Sequence, residues 1–331
     1  MKIASRQVPN SCPEPSRELV QQSVDYLNSD QASVSLKIDA YWPKWNSPWW
    51  HMLLLHEMGM TKRIPQAAIE QVIDALNNEY LKDFPLTESE IPPGIDPIKN
   101  IACHCQLGTI HQVITAYGID CDQHLPWVRA RYLKFQMNDG GLNCDEAAYT
   151  KPVPTSSIVS TVPPMEAILH STGRNLTDAE ISFLDLGASY LISKKLFRRS
   201  SNGEPINEDW LKLCFPRFYY YDVLRGLSVL LHWSLRLKRK LPAGAIQEVV
   251  QYIDKQFPDG IIQVQGAQWY GVTSRFWEGD TRSWSKGPAT TFSLLTGIGQ
   301  PGVRSAFLTK EWSDARANLA AAIQAGLVDL N

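Results

Sequence analysis

The sequence predicts an all-α protein whose helix pairs close into an α/α toroid, a barrel with an inner and an outer ring of helices. The first signal is a repeat: a tyrosine near the end of a helical pattern returns at intervals of 54, 52, 58 and 62 residues, at Tyr26, Tyr80, Tyr132, Tyr190 and Tyr252. The second is the alternation of amphipathic helical segments with segments that are apolar on every side. Repeated helix pairs bury their apolar faces against their neighbours. Because fully apolar helices must be enclosed, we expect a closed barrel of five to six hairpins rather than an open solenoid.

The clearest copy of the repeat lies at residues 132–144. An amphipathic helix there runs into a polar turn at 138–141 that contains two glycines, and Cys144 follows. Glycine adopts positive φ without strain, so such a turn permits the sharp reversal that joins one helix to the next. A similar order of residues returns at 252–260, which indicates that the turn belongs to the repeated unit.

Helix-start signals predict the order of elements. Amphipathic helices are expected to start at Ser16, Pro65, Pro126, Thr177 and Pro242, where a capping residue or a proline precedes an apolar stripe. Apolar helices are expected to start at Ser47, near Ile101, at Ser156, near Pro216 and at Pro288, and Ser313 is expected to cap a last, alanine-rich helix. Residues 85–97 and 259–282 are interpreted as loops, the second with a short strand pair. The predicted inner ring consists of the helices that carry Trp49, Cys105, Ile158, Val223 and Thr290.

Length and composition favour one large domain. Of the 331 residues, 44% are hydrophobic and 20% are charged, which provides enough apolar surface for a sizeable core. A repeat that runs nearly end to end predicts a single domain over residues 1–331, with an irregular segment at 1–15. The formal net charge of −2 gives no electrostatic reason to expect nucleic acid as a partner.

The sequence also bears on the compartment. No stretch approaches the length of a transmembrane helix, and the N-terminus lacks the apolar run of a signal peptide. Six cysteines in a chain of this length do not resemble a secreted disulfide framework. We therefore expect a cytoplasmic protein without a transmembrane segment, whose cysteines are free thiols or ligands.

Several segments resemble the terpenoid cyclase/protein prenyltransferase-like family of α/α toroids, in particular the bacterial relatives of squalene-hopene cyclases and of prenyltransferase β-subunits. The similarity is carried by residues 47–50, 53–59, 105–108, 136–144, 156–169, 196–199, 215–216 and 221–225, which spread over most of the chain. The resemblance implies the toroid fold and a central cavity for an isoprenoid or other apolar ligand.

The chain departs from the family's chemical motifs. Leu142 and Ile262 stand where the glutamine-tryptophan repeat of the cyclases has tryptophan. Neither the Asp-x-Asp-Asp acid of protonation-initiated cyclases nor the D-D-x-x-D magnesium motif of ionisation-initiated synthases occurs in the sequence. Residues 159–161 read Val-Ser-Thr where prenyltransferase-like relatives place a histidine before a threonine pair, so one zinc ligand that the resemblance implies is missing.

Asp139 and Cys144 flank the glycine turn of the repeat and are the first candidate catalytic residues. In this interpretation they are an acid at the rim of the cavity and a thiolate that acts as ligand or nucleophile. The alternative is a turn aspartate and a buried thiol, both of which are common.

A metal site is a further possibility, and the cofactor is left open. Cysteine and histidine are the ligands that zinc prefers in proteins, and the candidates are Cys105, Cys144, His104 and His111. The Cys-x-Cys pair of Cys103 and Cys105 lacks the second pair of a specific zinc motif. Two residues that are two apart on a helix point in different directions, so only one of these cysteines is expected to face a given site.

The third candidate set lies on the predicted helix that starts near Pro216. Asp222 is a candidate general acid and Arg225 a candidate clamp for phosphate or carboxylate, with Tyr220 and Tyr221 as substrate contacts. Their spacing of three also fits a buried ion pair. From the alternation of helices we expect Asp139, Cys144, Asp222 and Arg225 to converge on one end of the central cavity.

Tryptophans complete the list of candidate substrate contacts. Trp277 and Trp284 lie in a stretch that is expected to cover the mouth of the cavity, and Trp49 starts an apolar inner helix. Aromatic faces stabilise cations and stack on sugars. Core filling is the alternative function of such rings.

Taken with the resemblance, these residues favour an enzyme that acts on an isoprenoid or other apolar substrate, with or without a phosphate. Two alternatives stay open: a toroid that binds a ligand or a protein partner without chemistry, and a carbohydrate-processing α/α barrel. The sequence contains no P-loop, nucleophile elbow or dinucleotide fingerprint, so it does not support a kinase, an acyl transferase or a dehydrogenase.

Overall fold

The computed structural model describes residues 12–84, 87–94, 103–170 and 172–329. The protein is mostly helical, with 54% helix and 8% strand. The thirteen α-helices within the described ranges are α1 (Arg17–Leu27), α2 (Asp30–Ile38), α3 (Pro48–Glu57), α4 (Gln66–Asn78), α5 (His104–Tyr117), α6 (Cys121–His124), α7 (Trp127–Lys134), α8 (Ile158–His170), α9 (Asp178–Ser193), α10 (Val223–Leu237), α11 (Ala243–Gln256), α12 (Ser293–Ile298) and α13 (Ala306–Gln324). Of the predicted loop at 85–97, residues 87–94 are described; they are irregular apart from one turn of 3-10 helix at Glu88–Glu90. The rest of this loop, the predicted helix start near Ile101 and most of the predicted irregular segment at 1–15 lie outside the described residues.

Five helices pack on one another in chain order. α3 contacts α5, α5 contacts α8, α8 contacts α10, and α10 contacts α13. Buried residues predominate in α3, α5, α8 and α10, and α3 buries every residue from Pro48 to Leu55, whereas α13 buries one face. A helix of this composition is stable in water only when other elements enclose it. Four of the five are helices that the sequence assigns to the interior.

A second set of helices covers the first. α2 packs on α4, α9 contacts α7, α8, α10 and α11, and α11 also contacts α10. The apolar stripes expected to face inward do so, because Ile69, Val72 and Val249 are fully buried and Leu133 packs against the core. The five tyrosines of the repeat lie near the C-terminal ends of α1, α4, α7, α9 and α11. The repeat therefore marks one position in successive helices of the covering set.

The closest helix contact, between α5 and α8, depends on one glycine. A Cβ atom on Gly108 would lie 2.4 Å from the carbonyl carbon of Pro163. α8 continues through Pro163 and Pro164 to His170, so the two prolines neither delay nor end this helix. With only hydrogen at position 108, the backbone of α8 can lie directly against α5.

The start of α10 corrects one sequence-based assignment. Pro216 does not open the helix, because residues 213–221 are irregular and Phe218 has a φ of 56°, which a right-handed helix does not contain. The helix begins at Val223, and the carboxylate of Asp222 caps it by accepting the Arg225 N–H at 3.0 Å. Residues 213–221 instead run through the interior of the protein, and we call them the interior segment.

The fifth enclosed helix is also different from the expected one. Thr290 is exposed and lies outside any helix, and α12 after it has only six residues. Instead, α13 packs beside α10. Ser305 caps α13, since its hydroxyl accepts the Leu308 N–H at 3.2 Å. Ser313 lies inside α13. The Ser-Asp sequence at 313–314 resembles an N-cap, but the residues before it favour helix, so the helix continues through this position.

Strands are short in the described part of the chain. β1 (Leu241–Pro242) pairs in parallel with β4 (Val328–Asp329), and β2 (Thr273–Glu278) forms an antiparallel hairpin with β3 (Ser283–Pro288). A strand pair is expected within residues 259–282; β2 lies in that range, whereas β3 follows it. Within the described ranges, no helix combines the length and the apolar character that crossing a membrane requires.

Candidate functional site

A cavity of about 940 Å³ lies among α3, α5, α8, α10 and α13. Its apolar wall includes Leu53, Met58, Phe215, Phe218, Val229 and Phe307. Its ionisable wall consists of His56, Glu57, Glu166, His170, Arg217, Arg225, His232, Lys310, Glu311 and Asp314. A concave site of this size, apolar with a set of polar groups, is typical of small-molecule binding.

Glu57, the last residue of α3, is the unusual acid of this wall. The residue is half-buried on the cavity wall, and burial raises the pKa of its carboxyl group to about 7. Its two oxygens accept the backbone N–H groups of Arg217 at 2.8 Å and Phe218 at 2.5 Å. These hydrogen bonds favour the charged form but do not offset the loss of solvent. Glu57 therefore changes charge near neutral pH.

The arginines of the wall are held by carboxylates. Arg225 binds Glu166 through two nitrogens, at 2.8 and 2.6 Å. Arg217 pairs with Asp222 at 3.0 Å and also with Glu311. Burial alone would raise the pKa of Glu166, but the Arg225 guanidinium outweighs it and holds that pKa below its usual range. The pairs compensate the charges of both buried arginines.

Three histidines of the wall are uncharged at neutral pH. Burial lowers the pKa of His56 and of His170 to about 4, and it lowers the pKa of His232 as well. The rings of His170 and His232 meet edge to face with centroids 4.7 Å apart. Neutral imidazole offers one nitrogen as a proton acceptor, so the cavity contains potential bases beside its acid.

A second cluster lies at the N-terminus of α5 and consists of three thiols. The sulfur atoms of Cys103, Cys105 and Cys144 all lie within 4.8 Å of one another. Cys103 Sγ is 3.2 Å from Cys105 Sγ, and Cys144 Sγ is 3.5 Å from it. The expectation that Cys103 and Cys105 point apart is wrong, because Cys103 is the N-cap of α5 and has extended rather than helical dihedrals.

Aromatic residues and a lysine adjoin the thiols. The amine of Lys44 lies over the rings of Tyr41, Trp42, Trp45 and Tyr219, between 5.6 and 5.9 Å from their centroids. Burial lowers its pKa, while the sulfurs of Cys103 and Cys105 act in the opposite direction.

The interior segment contacts both the cavity and the surroundings of the thiols. The N–H groups of Arg217 and Phe218 bind Glu57, and the Tyr219 hydroxyl accepts the Lys44 amine at 3.1 Å. The carbonyls of Phe218 and Tyr220 accept the Arg225 guanidinium. This segment thus lies between two sites of different chemistry.

The structure does not bring the four predicted catalytic residues together. Asp139 is exposed, and its carboxylate accepts the hydroxyl and the N–H of Ser156, so it fastens the turn rather than lining the cavity. Cys144 belongs to the thiol cluster. Arg225 lines the cavity. Asp222 does not line it but forms an ion pair with Arg217, which does. Asp222 and Arg225 do not form the expected ion pair, because Asp222 is a cap outside the helix and each charge has another partner.

The other predicted contacts lie at several places. Tyr221 is buried and donates to the Leu196 carbonyl, and Trp49 is buried in the core. Tyr220 stacks on Tyr219, one of the rings under the Lys44 amine. Trp277 and Trp284 form a cross-strand pair on the β2–β3 hairpin, with ring centroids 5.5 Å apart. Their role as substrate contacts stays a prediction.

The histidines proposed as metal ligands are not part of the thiol cluster. His104 packs on Phe84, and its Nε2 lies 3.4 Å from the Tyr149 hydroxyl. His111 stacks on Tyr132. The described residues that form the cluster are the three cysteines alone.

Sequence reasoning missed Glu57, Glu166 and Arg217. A signal for the two glutamates existed, because each is the acid of an otherwise apolar helix, and a carboxylate in such a place must be paired or functional. Arg217 gave no signal of its own. The chain matches no protein-family model, no curated protein and no solved structure.

Proposed function

We propose that the protein is an α/α toroid enzyme, similar to the terpenoid cyclases and prenyltransferases, that binds an isoprenoid or other apolar substrate in the cavity and protonates it with Glu57. The observation that carries the proposal is the position of Glu57, a half-buried acid on the wall of the cavity whose pKa is raised by burial to about 7. A general acid is most effective when its pKa lies near the working pH.

The helix arrangement supports the toroid part of the proposal. Five enclosed helices contact one another in chain order, and a second set covers them. α3 and α13, the first and last of the five, both line the cavity. A ring of helix pairs around a central space has this order of contacts.

The charges of the wall favour a neutral substrate. Arg225, Arg217 and Lys310 each already pair with a carboxylate. A diphosphate would have to compete with the carboxylates for these three cations. Breaking either buried arginine pair is costly, whereas the Lys310–Asp314 pair is exposed. The wall therefore suits protonation of a neutral double bond better than ionisation of a diphosphate ester.

In the first step, the O–H bond of the Glu57 carboxyl group breaks and a C–H bond forms on one carbon of the substrate's double bond. The products are a carboxylate and a carbocation. The N–H groups that bind Glu57 stabilise the carboxylate, and the faces of Phe215, Phe218 and Phe307 stabilise the cation.

In the second step, a neutral imidazole removes a proton from a carbon next to the cation and leaves an alkene. His56, with a pKa of about 4, is basic enough because a carbocation is a very strong acid. The proton returns to Glu57 through solvent, so the overall reaction is an isomerisation or a cyclisation without a net redox change.

The test is turnover in D₂O. The purified protein is incubated with neutral isoprenoid hydrocarbons and alcohols and, in parallel, with the matching diphosphates, and products are analysed by mass spectrometry. We expect a product from a neutral substrate that carries one deuterium, and we expect Glu57→Gln to abolish it. Glu70→Gln, which changes an exposed glutamate on α4, is the matched control.

Other outcomes identify the alternatives. Retention of an isoprenoid without product or deuterium would indicate a non-catalytic binding toroid. Conversion of the diphosphates alone would contradict the argument from the paired arginines. Hydrolysis of oligosaccharides would indicate that the protein is a carbohydrate-processing α/α barrel.

A further inference from the structure

The thiol cluster has the dimensions of a metal site. With metal–sulfur bonds of about 2.3 Å, two thiolates on a tetrahedral zinc ion lie about 3.8 Å apart. The measured Sγ distances to Cys105 are 3.2 Å from Cys103 and 3.5 Å from Cys144, and all three sulfurs lie within 4.8 Å. Small rotations of the side chains would place all three around one ion.

Backbone N–H groups help to hold the three cysteines in this arrangement. Cys103 caps α5 and its N–H donates to the Gln106 side chain at 3.2 Å. The N–H of Cys144 donates to Ser160 Oγ at 3.1 Å, and the N–H of Cys105 points to Cys144 Sγ at 3.5 Å. Ligands that are positioned before the ion arrives bind it with a smaller loss of conformational entropy.

The charges around the cluster suit an ion held by thiolates. The three sulfurs lie together in a half-buried to buried environment, where thiolates require nearby positive charge. Lys44 and Arg131 place positive charge near the sulfurs. They compensate the negative charge that remains when three thiolates bind a mono- or divalent cation.

We propose that Cys103, Cys105 and Cys144 bind one thiophilic cation, Zn²⁺ or Cu⁺, through three thiolates. Each thiol loses its proton to solvent when the ion binds, so binding becomes tighter as pH rises. The three sulfurs leave a coordination position for water or another ligand, as in zinc sites that take part in chemistry. The site lies outside the cavity wall, so the inference does not rest on the proton transfer proposed for Glu57.

The experiment is metal binding by the whole protein, kept reduced by a thiol-free reductant. We expect one equivalent of Zn²⁺ or Cu⁺ per chain, and Co²⁺ as a spectroscopic probe should produce sulfur-to-cobalt charge-transfer absorption. A Zn²⁺ chelator and a Cu⁺-specific chelator, used separately, identify which ion the purified protein retains. Proton release on metal addition provides a second readout.

Variants assign the ligands. Cys105→Ser and Cys144→Ser should each abolish stoichiometric binding and the cobalt spectrum, whereas Cys12→Ser and Cys121→Ser, which change cysteines outside the cluster, should leave both unchanged. For a variant that does not fold, the unaltered protein answers the question: bound metal should protect Cys103, Cys105 and Cys144, and not Cys12, from alkylation. Absence of binding by reduced protein, or equal alkylation with and without metal, would overturn the proposal.

Discussion

The thiol cluster and the cavity differ in how their residues are held. Three cysteines from two stretches of chain form the cluster, and hydrogen bonds of their backbone N–H groups help to hold it. The ionisable residues of the cavity come from four helices and the interior segment, and the arginines among them are held by ion pairs. The cluster thus depends on backbone hydrogen bonds, whereas the cavity depends on the pairing of its charges.

The strongest test of this difference is to break one buried pair. Glu166→Gln leaves the Arg225 guanidinium without its anion, and we expect the free energy of unfolding to fall by about 3–5 kcal/mol. Denaturant unfolding measures the loss, and Glu166→Gln combined with Arg225→Met should recover most of it. Glu248→Gln, which breaks the surface pair with Arg198, is the control and should cost less than about 1 kcal/mol. Equal losses for the two single variants would contradict the distinction.

The next effect concerns pH. The folded protein holds a proton on Glu57 up to a pH of about 7, whereas the unfolded chain releases it near the ordinary glutamate pKa of 4.5. Folding is therefore favoured below this window, and stability is lost as pH rises through it, by up to about 3 kcal/mol. Glu57→Gln should remove this dependence. Unfolding curves between pH 4 and 8 measure it, and an unchanged slope in the variant would show that Glu57 does not titrate in this range.

A change on α5 should affect both regions, since this helix carries Cys105 at its start and Gln112 on the cavity wall. Gly108→Ala places a methyl group 2.4 Å from the backbone of α8, and overpacking of this kind costs about 1–3 kcal/mol. We expect a lower melting temperature together with faster alkylation of the cluster. Gly244→Ala, where no atom lies within 4 Å of the added group, is the control. Unchanged thiol reactivity would show that the two regions are independent of the α5–α8 contact.

The smallest effect is expected on the hairpin. Trp277→Ala removes one aromatic cross-strand pair with Trp284, which is worth about 0.5–1.5 kcal/mol. If the hairpin has only a structural role, we expect metal binding by the thiol cluster and proton transfer by Glu57 to be unchanged in this variant. A loss of substrate retention at unchanged stability would instead support the sequence-based prediction that these rings contact the substrate.

The helical class could be predicted from the sequence because it depends on local patterns. Ser16, Ser47 and Thr177 stand directly before helices, and apolar periodicity identifies the segments that follow. The errors occurred where a local signal was overridden. Pro216 and Ser313 resemble helix starts, but one lies in the interior segment and the other inside α13.

The site was less predictable for a physical reason. Cysteines are rare, so Cys105 and Cys144 attract attention, yet only the cap geometry of Cys103 shows that it joins them. Glutamate and arginine are common, and nothing in the sequence says that Arg225 pairs with Glu166 rather than with Asp222. Such pairing depends on contacts between residues far apart in the chain, which no local pattern records.

The interior segment has a thermodynamic consequence. Its N–H groups bind Glu57, its carbonyls bind Arg225, and its Tyr219 hydroxyl binds Lys44 beside the thiols. An occupant of the cavity that shifts this segment changes the energy of the Lys44 contact, and an ion on the thiols that shifts Lys44 would act on Glu57 by the same route. Because linkage is reciprocal, each ligand must then change the affinity of the other by the same factor.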